Sequence, residues 1–185
     1  MGLYGSEDEG GEDTEELTFR RLDAEDLPLL QAWLTAGPAL RWYARGAATT
    51  AAEDMERKYL PRIRGEVPVS CWILMRGGHA AGYFQTYRLR DIPDHPAGSR
   101  PGAAGLDFLL APAEIGQGLA SPALLAFLRQ VVFATPDVLR CYADPDPANL
   151  ASVRSLRRAG FRAAGRSPEG VPLLACTRRR APAQS

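Results

Sequence analysis

Asp107 is a carboxylate inside an otherwise apolar stretch of the chain, Leu-Asp-Phe-Leu-Leu at positions 106–110. A carboxylate in such a place can hold an ammonium group and take up its proton when the neutral amine attacks an acyl carbon. The same side chain near a strand end can instead accept hydrogen bonds from backbone N–H groups. The residues alone leave the catalytic and the structural interpretation of Asp107 both open.

Two glycines, Gly116 and Gly118, stand directly ahead of an apolar run at 119–133 that predicts a helix. The first N–H groups of a helix lack partners within the helix, and the helix dipole adds partial positive charge there. Glycines let the backbone approach a phosphate closely. The candidate donors are Gly116, Gln117, Gly118, Leu119 and Ala120. A turn without a ligand is the alternative, because the lysine of the P-loop motif is absent.

The elements that must position these groups follow from the hydropathy pattern. Alternating or short apolar runs predict strands at 17–22, 69–75, 80–89, 106–110 and 137–144, and two closing strands around a turn at 167–170. Helical spacing predicts a helix from Asp23 that includes 27–34, and further helices at 50–64, 119–133 and 149–159. Segments 37–50 and 91–105 are predicted loops. Gly160 is a suitable residue to end the last helix.

Composition separates the first sixteen residues from the rest of the chain. The 185 residues, 45% of them hydrophobic, fit one domain, which we place at 17–180 between an acidic disordered tail at 1–16 and a short tail at 181–185. Seven acidic side chains fall in the first tail, so the net charge of zero hides a formal excess of seven positive charges elsewhere. That excess favours an anionic ligand.

Several classes of function are disfavoured by the same composition. No basic run is interleaved with aromatic residues, so we expect no nucleic-acid partner. Three cysteines without Cys-x-x-Cys spacing and two histidines predict no metal site. Neither a signal peptide nor a membrane-spanning run is visible, so we expect a cytoplasmic protein without a membrane partner.

The order of the segments resembles the GNAT acyl-CoA N-acyltransferases. The motif Gly116-x-Gly118-x-Ala120 and the later segment 149–161, which ends in Ala-Gly-Phe, carry this resemblance. It implies an α+β fold, with a mixed and largely antiparallel twisted sheet flanked by about four helices, and acetyl-CoA (coenzyme A) as cofactor. The implied cofactor-binding residues are Leu109, Leu110, Ile115, Gly116, Gln117, Gly118, Leu119, Ala120, Asn149 and Ser152.

Within that superfamily, the chain is most similar to the aminoglycoside 6'-N-acetyltransferases of type Ib. The segments shared in chain order are Trp42-Tyr43, Tyr59-Leu60-Pro61, Gly82-Tyr83-x-Gln85-x-Tyr87, Gly105-Leu106-Asp107-x-Leu109-Leu110, Gly116-x-Gly118-Leu119, Asp144-Pro145-x-Pro147-x-Asn149 and Ala159-Gly160-Phe161. The resemblance implies acetyl transfer to a primary amine, the 6'-amino group of an aminoglycoside-like small molecule, and hence antibiotic resistance. We expect a monomer or homodimer.

The same resemblance implies roles for individual residues. Asp107 matches the active-site aspartate of these enzymes, and Asp144 matches a second acidic position that would bind the substrate amine. The other implied substrate-binding residues are Trp42, Tyr43, Gln85 and Tyr87. From the residues alone, Asp144 could equally serve a turn, Gln85 and Tyr87 a half-solvated sheet face, and the two aromatic residues a packing lid.

The chain departs from the family pattern at three places, and two other functions stay open. Ile115 stands where the motif has arginine or glutamine, Leu156 replaces a tyrosine that could protonate the leaving thiolate, and the loop at 91–105 is poor in acids. One alternative is a hydroxylamine N-acyltransferase of siderophore assembly, although such enzymes carry histidine where Asp107 stands. The other is a non-catalytic acyl-CoA-binding or interaction protein.

Overall fold

A seven-stranded sheet forms the centre of the computed structural model, which describes residues 16–42, 51–92, 97, 100–167 and 170–180. The strands are β1 (Leu17–Arg21), β2 (Val69–Arg76), β3 (His79–Arg88), β4 (Ala103–Leu110), β5 (Arg140–Ala143), β6 (Arg162–Arg166) and β7 (Pro172–Thr177). Their order in the sheet is β1-β2-β3-β4-β5-β7-β6. Neighbours pair antiparallel except β4 and β5, which are parallel. The mixed, largely antiparallel sheet is thus confirmed.

Five α-helices accompany the sheet in the described part of the chain: α1 (Leu27–Leu34), α2 (Gly37–Trp42), α3 (Ala52–Ile63), α4 (Ala120–Phe127) and α5 (Leu150–Arg158). Local sequence explains several of their ends. Asp23 and Asp26 form a capping box on the 3-10 turn that leads into α1. Asn149 accepts a hydrogen bond from the Ser152 amide at the start of α5, and Gly160 follows that helix with a positive φ of 94°.

The first part of the predicted loop at 37–50 is instead a helix, α2. The prediction was wrong because six residues are too few to show helical periodicity, while Gly37 and Pro38 read as turn residues. Gly37 does turn the chain, with a φ of 49°, but Pro38 then occupies the first turn of α2, where its missing N–H costs little. Tyr43 and the rest of that loop lie outside the described residues.

Other boundaries also differ from the sequence prediction. β4 begins at Ala103 inside the predicted loop at 91–105, because small residues without alternation pair there with both β3 and β5. Leu89 belongs to a 3-10 turn rather than to β3. The predicted helix at 119–133 changes to a π-helical turn at Leu128–Val132, where the Phe133 amide bonds to Leu128 five residues earlier. The predicted strand at 137–144 shortens to β5, since Val138 bonds within a turn to Thr135.

The sheet carries a hydrophobic cluster on each face. Successive side chains of a strand point to opposite faces, so Tyr83 packs with α1 and α3, whereas Phe84 packs with α4 and α5. On β4, Leu109 belongs to the α3 side and Leu106 to the α4 side. Asp107 therefore faces the side of α3. Among the described residues, no helix is long and apolar enough to cross a membrane.

Candidate active site

One cavity lies where the two parallel strands separate. β4 and β5 pair over only three positions, and the last of these joins Gly105 to Tyr142. Beyond that point, residues 106–110 and the pair Ala143 and Asp144 all line one cavity of about 620 Å³. Ligand pockets commonly measure roughly 300–1,000 Å³. The gap in the sheet thus provides a site of ordinary size for a small-molecule ligand.

One end of the cavity is formed by the glycine turn ahead of α4. Gly116 and Gly118 both line the cavity and have positive φ angles of 85° and 78°. A Cβ atom built on either glycine meets no atom within 4 Å, so the space in front of this backbone is open. Leu119, the N-cap residue of α4, makes no side-chain cap, and the first residues of this helix also line the cavity. These features fit the backbone cradle for a phosphate that the sequence suggested.

Glu114 attaches the glycine turn to the rest of the sheet. Its carboxylate is 8% exposed and accepts a hydrogen bond of 2.7 Å from Arg76, while His79 lies 3.0 Å from its other oxygen. The hydrogen bond with His79, helped by Arg76, holds the pKa of Glu114 below its ordinary value. Sequence analysis missed this contact because its partners lie more than thirty positions away along the chain.

Helix α5 contributes a polar and basic wall to the same cavity. Asn149 and Ser152, both predicted from sequence, line the cavity at the start of this helix. Arg154 and Arg158 line it further along, four residues apart on one helix face, and were not predicted. Their spacing of four residues in an amphipathic helix could have predicted that both lie on one helix face. Arginine side chains in this arrangement can pair with phosphate oxygens.

The other end of the cavity contains Asp107 in a chain of hydrogen bonds. The amide nitrogen of Gln85 donates to the Asp107 carboxylate at 2.6 Å. The amide oxygen of Gln85 accepts two hydrogen bonds of 2.8 Å, one from the guanidinium of Arg62 and one from the hydroxyl of Tyr83. Arg62 was not predicted from sequence.

The surroundings make the Asp107 carboxylate more basic than usual. Burial is the largest cause of its raised pKa, and the negative charge of Asp144 adds to that effect. Hydrogen bonds from Gln85 and Tyr87 and the positive charge of Arg62 act in the opposite direction. Burial likewise raises the pKa of the Tyr87 phenol. Asp107 therefore has the environment of a general base rather than that of a solvated surface acid.

The structure brings most of the predicted site residues to this cavity. Those that line it are Trp42, Asp107, Leu109, Leu110, Ile115, Gly116, Gly118, Leu119, Ala120, Asp144, Asn149 and Ser152. Gln85 and Tyr87 stand behind Asp107 as its hydrogen-bond partners instead of on the cavity wall. Gln117 also lies off the wall, where its side chain bonds to the Ala113 carbonyl. Tyr43 lies outside the described residues.

Comparison with known proteins places the chain among acetyltransferases. The family model described as an acetyltransferase (GNAT) domain matches residues 23–167. Aminoglycoside N(6')-acetyltransferase type 1 of Klebsiella pneumoniae is 31% identical over 159 residues, which cover 83% of this chain and 79% of the relative. The structure of AAC(6')-Ib with ribostamycin and coenzyme A is 29% identical, with a TM-score of 0.81 and coverage of 90% and 96%. AAC(6')-Ib with coenzyme A and kanamycin is 30% identical, with a TM-score of 0.78 and coverage of 89% and 96%.

Proposed function

The chain belongs to the GNAT family of acetyltransferases, and we propose from that premise that it transfers the acetyl group of acetyl-CoA to the 6'-amino group of an aminoglycoside. One observation carries the proposal. A single cavity joins the glycine turn before α4 to a half-buried carboxylate with a raised pKa, Asp107. Relatives that share this fold are solved with coenzyme A and aminoglycosides.

The donor groups at the glycine turn suit the cofactor. Gly116 and Gly118 open the backbone toward the cavity, and α4 begins there without a side-chain cap. We assign the pyrophosphate of coenzyme A to these backbone N–H groups and a further phosphate to Arg154 and Arg158. Ile115 is 44% exposed and apolar, so at that position the phosphate is bound by backbone N–H groups rather than by a charged side chain.

Asp107 acts on the acceptor amine. When bound, acetyl-CoA supplies a thioester whose acyl carbon the amine nitrogen attacks. An ammonium is not nucleophilic, so Asp107 first attracts the cationic acceptor and then takes up the proton that the amine loses. Asp144 lies exposed at the cavity and adds a second negative charge for a polyamine. Trp42 of α2 contributes an apolar surface to the same cavity.

Leu156 bears on the step in which the coenzyme A thiolate leaves. It lines the cavity at the position where related enzymes carry tyrosine, and it is 1% exposed. An aliphatic side chain has no proton to give, so this chain uses no acid at that position when the thiolate leaves. We expect the reaction to proceed because a thiolate is a far better leaving group than an alkoxide.

An acceptor panel tests the proposed reaction. Release of free coenzyme A from acetyl-CoA would be followed with kanamycin- and tobramycin-type aminoglycosides that carry a 6'-amine. Matched aminoglycosides with a 6'-hydroxyl, and hydroxylamino acceptors of the kind used in siderophore assembly, serve as controls. We expect turnover with the 6'-amines and none with the 6'-hydroxyls. Turnover confined to hydroxylamino acceptors, or acetyl-CoA binding without turnover on any acceptor, would overturn the proposal.

The number of subunits is a separate matter. A monomer or homodimer stays our prediction from sequence. Sedimentation equilibrium at the concentrations used for the assay would test it directly.

A further inference from the structure

Arg62 contacts the Gln85 amide, which in turn contacts Asp107. Its guanidinium bonds to the amide oxygen of Gln85 at 2.8 Å and stacks over the ring of Tyr59, 5.3 Å from the ring centre. The amide nitrogen of Gln85 then bonds to Asp107 at 2.6 Å. Arg62 belongs to α3, whereas Gln85 and Asp107 belong to β3 and β4, so the three residues meet only in the folded chain.

The two ends of a primary amide are similar in shape and opposite in hydrogen bonding. The oxygen accepts, and the nitrogen donates. If the Gln85 amide turned by half a circle, its oxygen would face Asp107. Two oxygen acceptors would then meet, and a hydrogen bond between them would need a proton on the carboxyl group. The orientation of this one amide therefore decides whether its contact favours the ionised or the protonated form of Asp107.

Only one of the two partners of the Gln85 oxygen can enforce that orientation. The Tyr83 hydroxyl bonds to this oxygen at 2.8 Å, but a hydroxyl both donates and accepts and can adapt to either end of the amide. It also has a second acceptor, the Cys71 sulfur at 3.0 Å. A guanidinium carries donors and no acceptor, so Arg62 tolerates the oxygen and excludes the nitrogen.

We propose that Arg62 is a positioning residue that holds the Gln85 amide with its nitrogen toward Asp107, and so keeps Asp107 ionised and ready to accept the proton of the substrate amine. The catalytic part of this statement rests on the function proposed above. The orientation of the amide rests on the geometry alone.

Other groups around Asp107 must be counted in any test based on pH. They come from α3, β3, β5 and the segment after β5, and they are Lys58, Tyr59, Arg62, Tyr87, Cys141 and Asp144. Lys58 and Arg62 are the cations in this set. Lys58 lies four residues from Arg62 on the same helix, and its ammonium stacks over the Tyr59 ring at 5.3 Å. It provides a nearby charge that does not bond to Gln85.

The direct measurement is the titration of the Asp107 carboxyl carbon by NMR, assigned by its loss in Asp107→Asn. We expect Arg62→Gln to raise the pKa of Asp107 by about one unit, because a hydrogen bond to a charged acceptor is lost or reversed. The acid limb of the kcat/KM profile should move to higher pH by a similar amount. Arg62→Lys, which keeps a side chain with donors only, should recover at least about half of the shift.

Two control variants separate orientation from charge. Arg57→Gln removes an exposed arginine of α3 that pairs with Asp54, and it should leave the titration unchanged. Lys58→Gln removes a cation near Asp107 without touching Gln85, and we expect a shift well below half of that in Arg62→Gln. Equal shifts in Lys58→Gln and Arg62→Gln would show that charge alone accounts for the effect, and would overturn the proposal.

A double-mutant cycle tests the path through Gln85. In a Gln85→Leu background the amide is absent, so a further Arg62→Gln change should add little to the pKa of Asp107. Fully additive shifts would overturn the proposal. Thermal melting and acetyl-CoA binding of each variant check that the fold and the cofactor site are retained.

The titration needs no turnover, so the two proposals can fail separately. A normal rate in Asp107→Asn, together with the expected shift in Arg62→Gln, would refute the role of Asp107 as base and leave the orientation by Arg62 standing. Slow turnover in Asp107→Asn, with no shift in the pKa of Asp107 in Arg62→Gln, would support Asp107 as the base and refute the orientation by Arg62.

Discussion

The two ends of the cavity are built on different principles. The part that we assign to the cofactor, the cofactor end, uses backbone groups from one short segment, 115–120, where two glycines with positive φ line the cavity. The part that we assign to the acceptor, the acceptor end, uses side chains from α2, α3, β3, β4 and the segment after β5. A site made from backbone depends on local conformation, whereas a site made from side chains depends on how distant elements pack. The cofactor end should therefore tolerate many side-chain changes, and the acceptor end should not.

The two ends also differ in charge. Helix α5 brings Arg154 and Arg158 to the cavity wall, whereas β4 and the segment after β5 bring Asp107 and Asp144. This division suits an anionic cofactor and a cationic acceptor meeting in one cavity. The comparison leads to three tests, which we give in order of the effect expected.

The largest effect is expected from Asp107→Asn, which removes the base and leaves the cofactor end intact. We expect kcat to fall by about a hundredfold or more, while the Kd for acetyl-CoA stays unchanged. Activity in the original chain should likewise fall as the pH drops through the raised pKa of Asp107, because the protonated carboxyl cannot accept a proton. Steady-state kinetics and calorimetric titration would measure both.

Stability distinguishes this role from a structural one. The folded-state pKa of Asp107 is raised, so folding disfavours its ionised form. This cost begins as the pH rises above the unfolded pKa and is complete above the folded pKa. Asp107→Asn should therefore melt at the same or a higher temperature at neutral pH. A lower melting temperature with an unchanged rate would show that Asp107 is structural. Asp137→Asn, at an exposed carboxylate paired with Arg88, is the matched control for kcat.

A smaller effect, confined to the cofactor, is expected from Gly118→Val. A β-branched residue disfavours the φ of 78° at this position and fills the open space in front of the backbone. We expect the KM for acetyl-CoA to rise about tenfold or more, since roughly 1–3 kcal/mol of strain or lost contact is involved. Initial rates at varied acetyl-CoA would measure it.

Gly170→Val controls for backbone strain alone. Gly170 has a φ of 81° and equally open space, but it lies in the turn between β6 and β7. Both variants should lose stability, and only Gly118→Val should lose cofactor affinity. An equal KM for acetyl-CoA in the two variants would contradict the backbone cradle.

The smallest effect is expected from Arg158→Gln. This arginine is exposed on the cavity wall, so solvent screens its interaction with a phosphate. We expect the KM for acetyl-CoA to rise about two- to fivefold at low salt, with the difference shrinking as salt increases. Arg157→Gln changes the next residue of α5, which does not line the cavity, and should have no such effect. An effect of the same size in both variants would show that Arg158 does not bind the cofactor.

The fold was predictable where pattern and local chemistry agree. Two runs rich in β-forming residues around Gly77-Gly78 predicted β2 and β3, and Asp23 and Asn149 predicted the starts of two helical segments. α2 was missed because it is shorter than the window in which helical periodicity shows. The start of β4 was missed because Ala103 and Ala104 show no alternation; Ala103 is held by β5, and Ala104 by strands on both sides.

Site residues in local motifs were predictable from the sequence, whereas those that meet only through the fold were not. Gly116, Gly118 and Asn149 lie in short motifs, and their positions follow from a few bonds of the local chain. Arg62 could not be found this way, since its partner Gln85 is 23 residues away and nothing in the α3 sequence marks it. Substrate contact by Gln85 stays a prediction, and the structure adds that its two polar ends bond to Arg62 and Asp107.

The sequence by itself determined that the backbone can turn at Gly116 and Gly118 ahead of an apolar helix, because glycine adopts positive φ angles at little cost. It also determined that a carboxylate lies within a buried strand. The tertiary structure decided how basic that carboxylate is and what holds it. Burial, the charge of Asp144 and the amide of Gln85 act on Asp107 over a few ångströms, and those distances exist only after α3, β3, β4 and β5 have packed together.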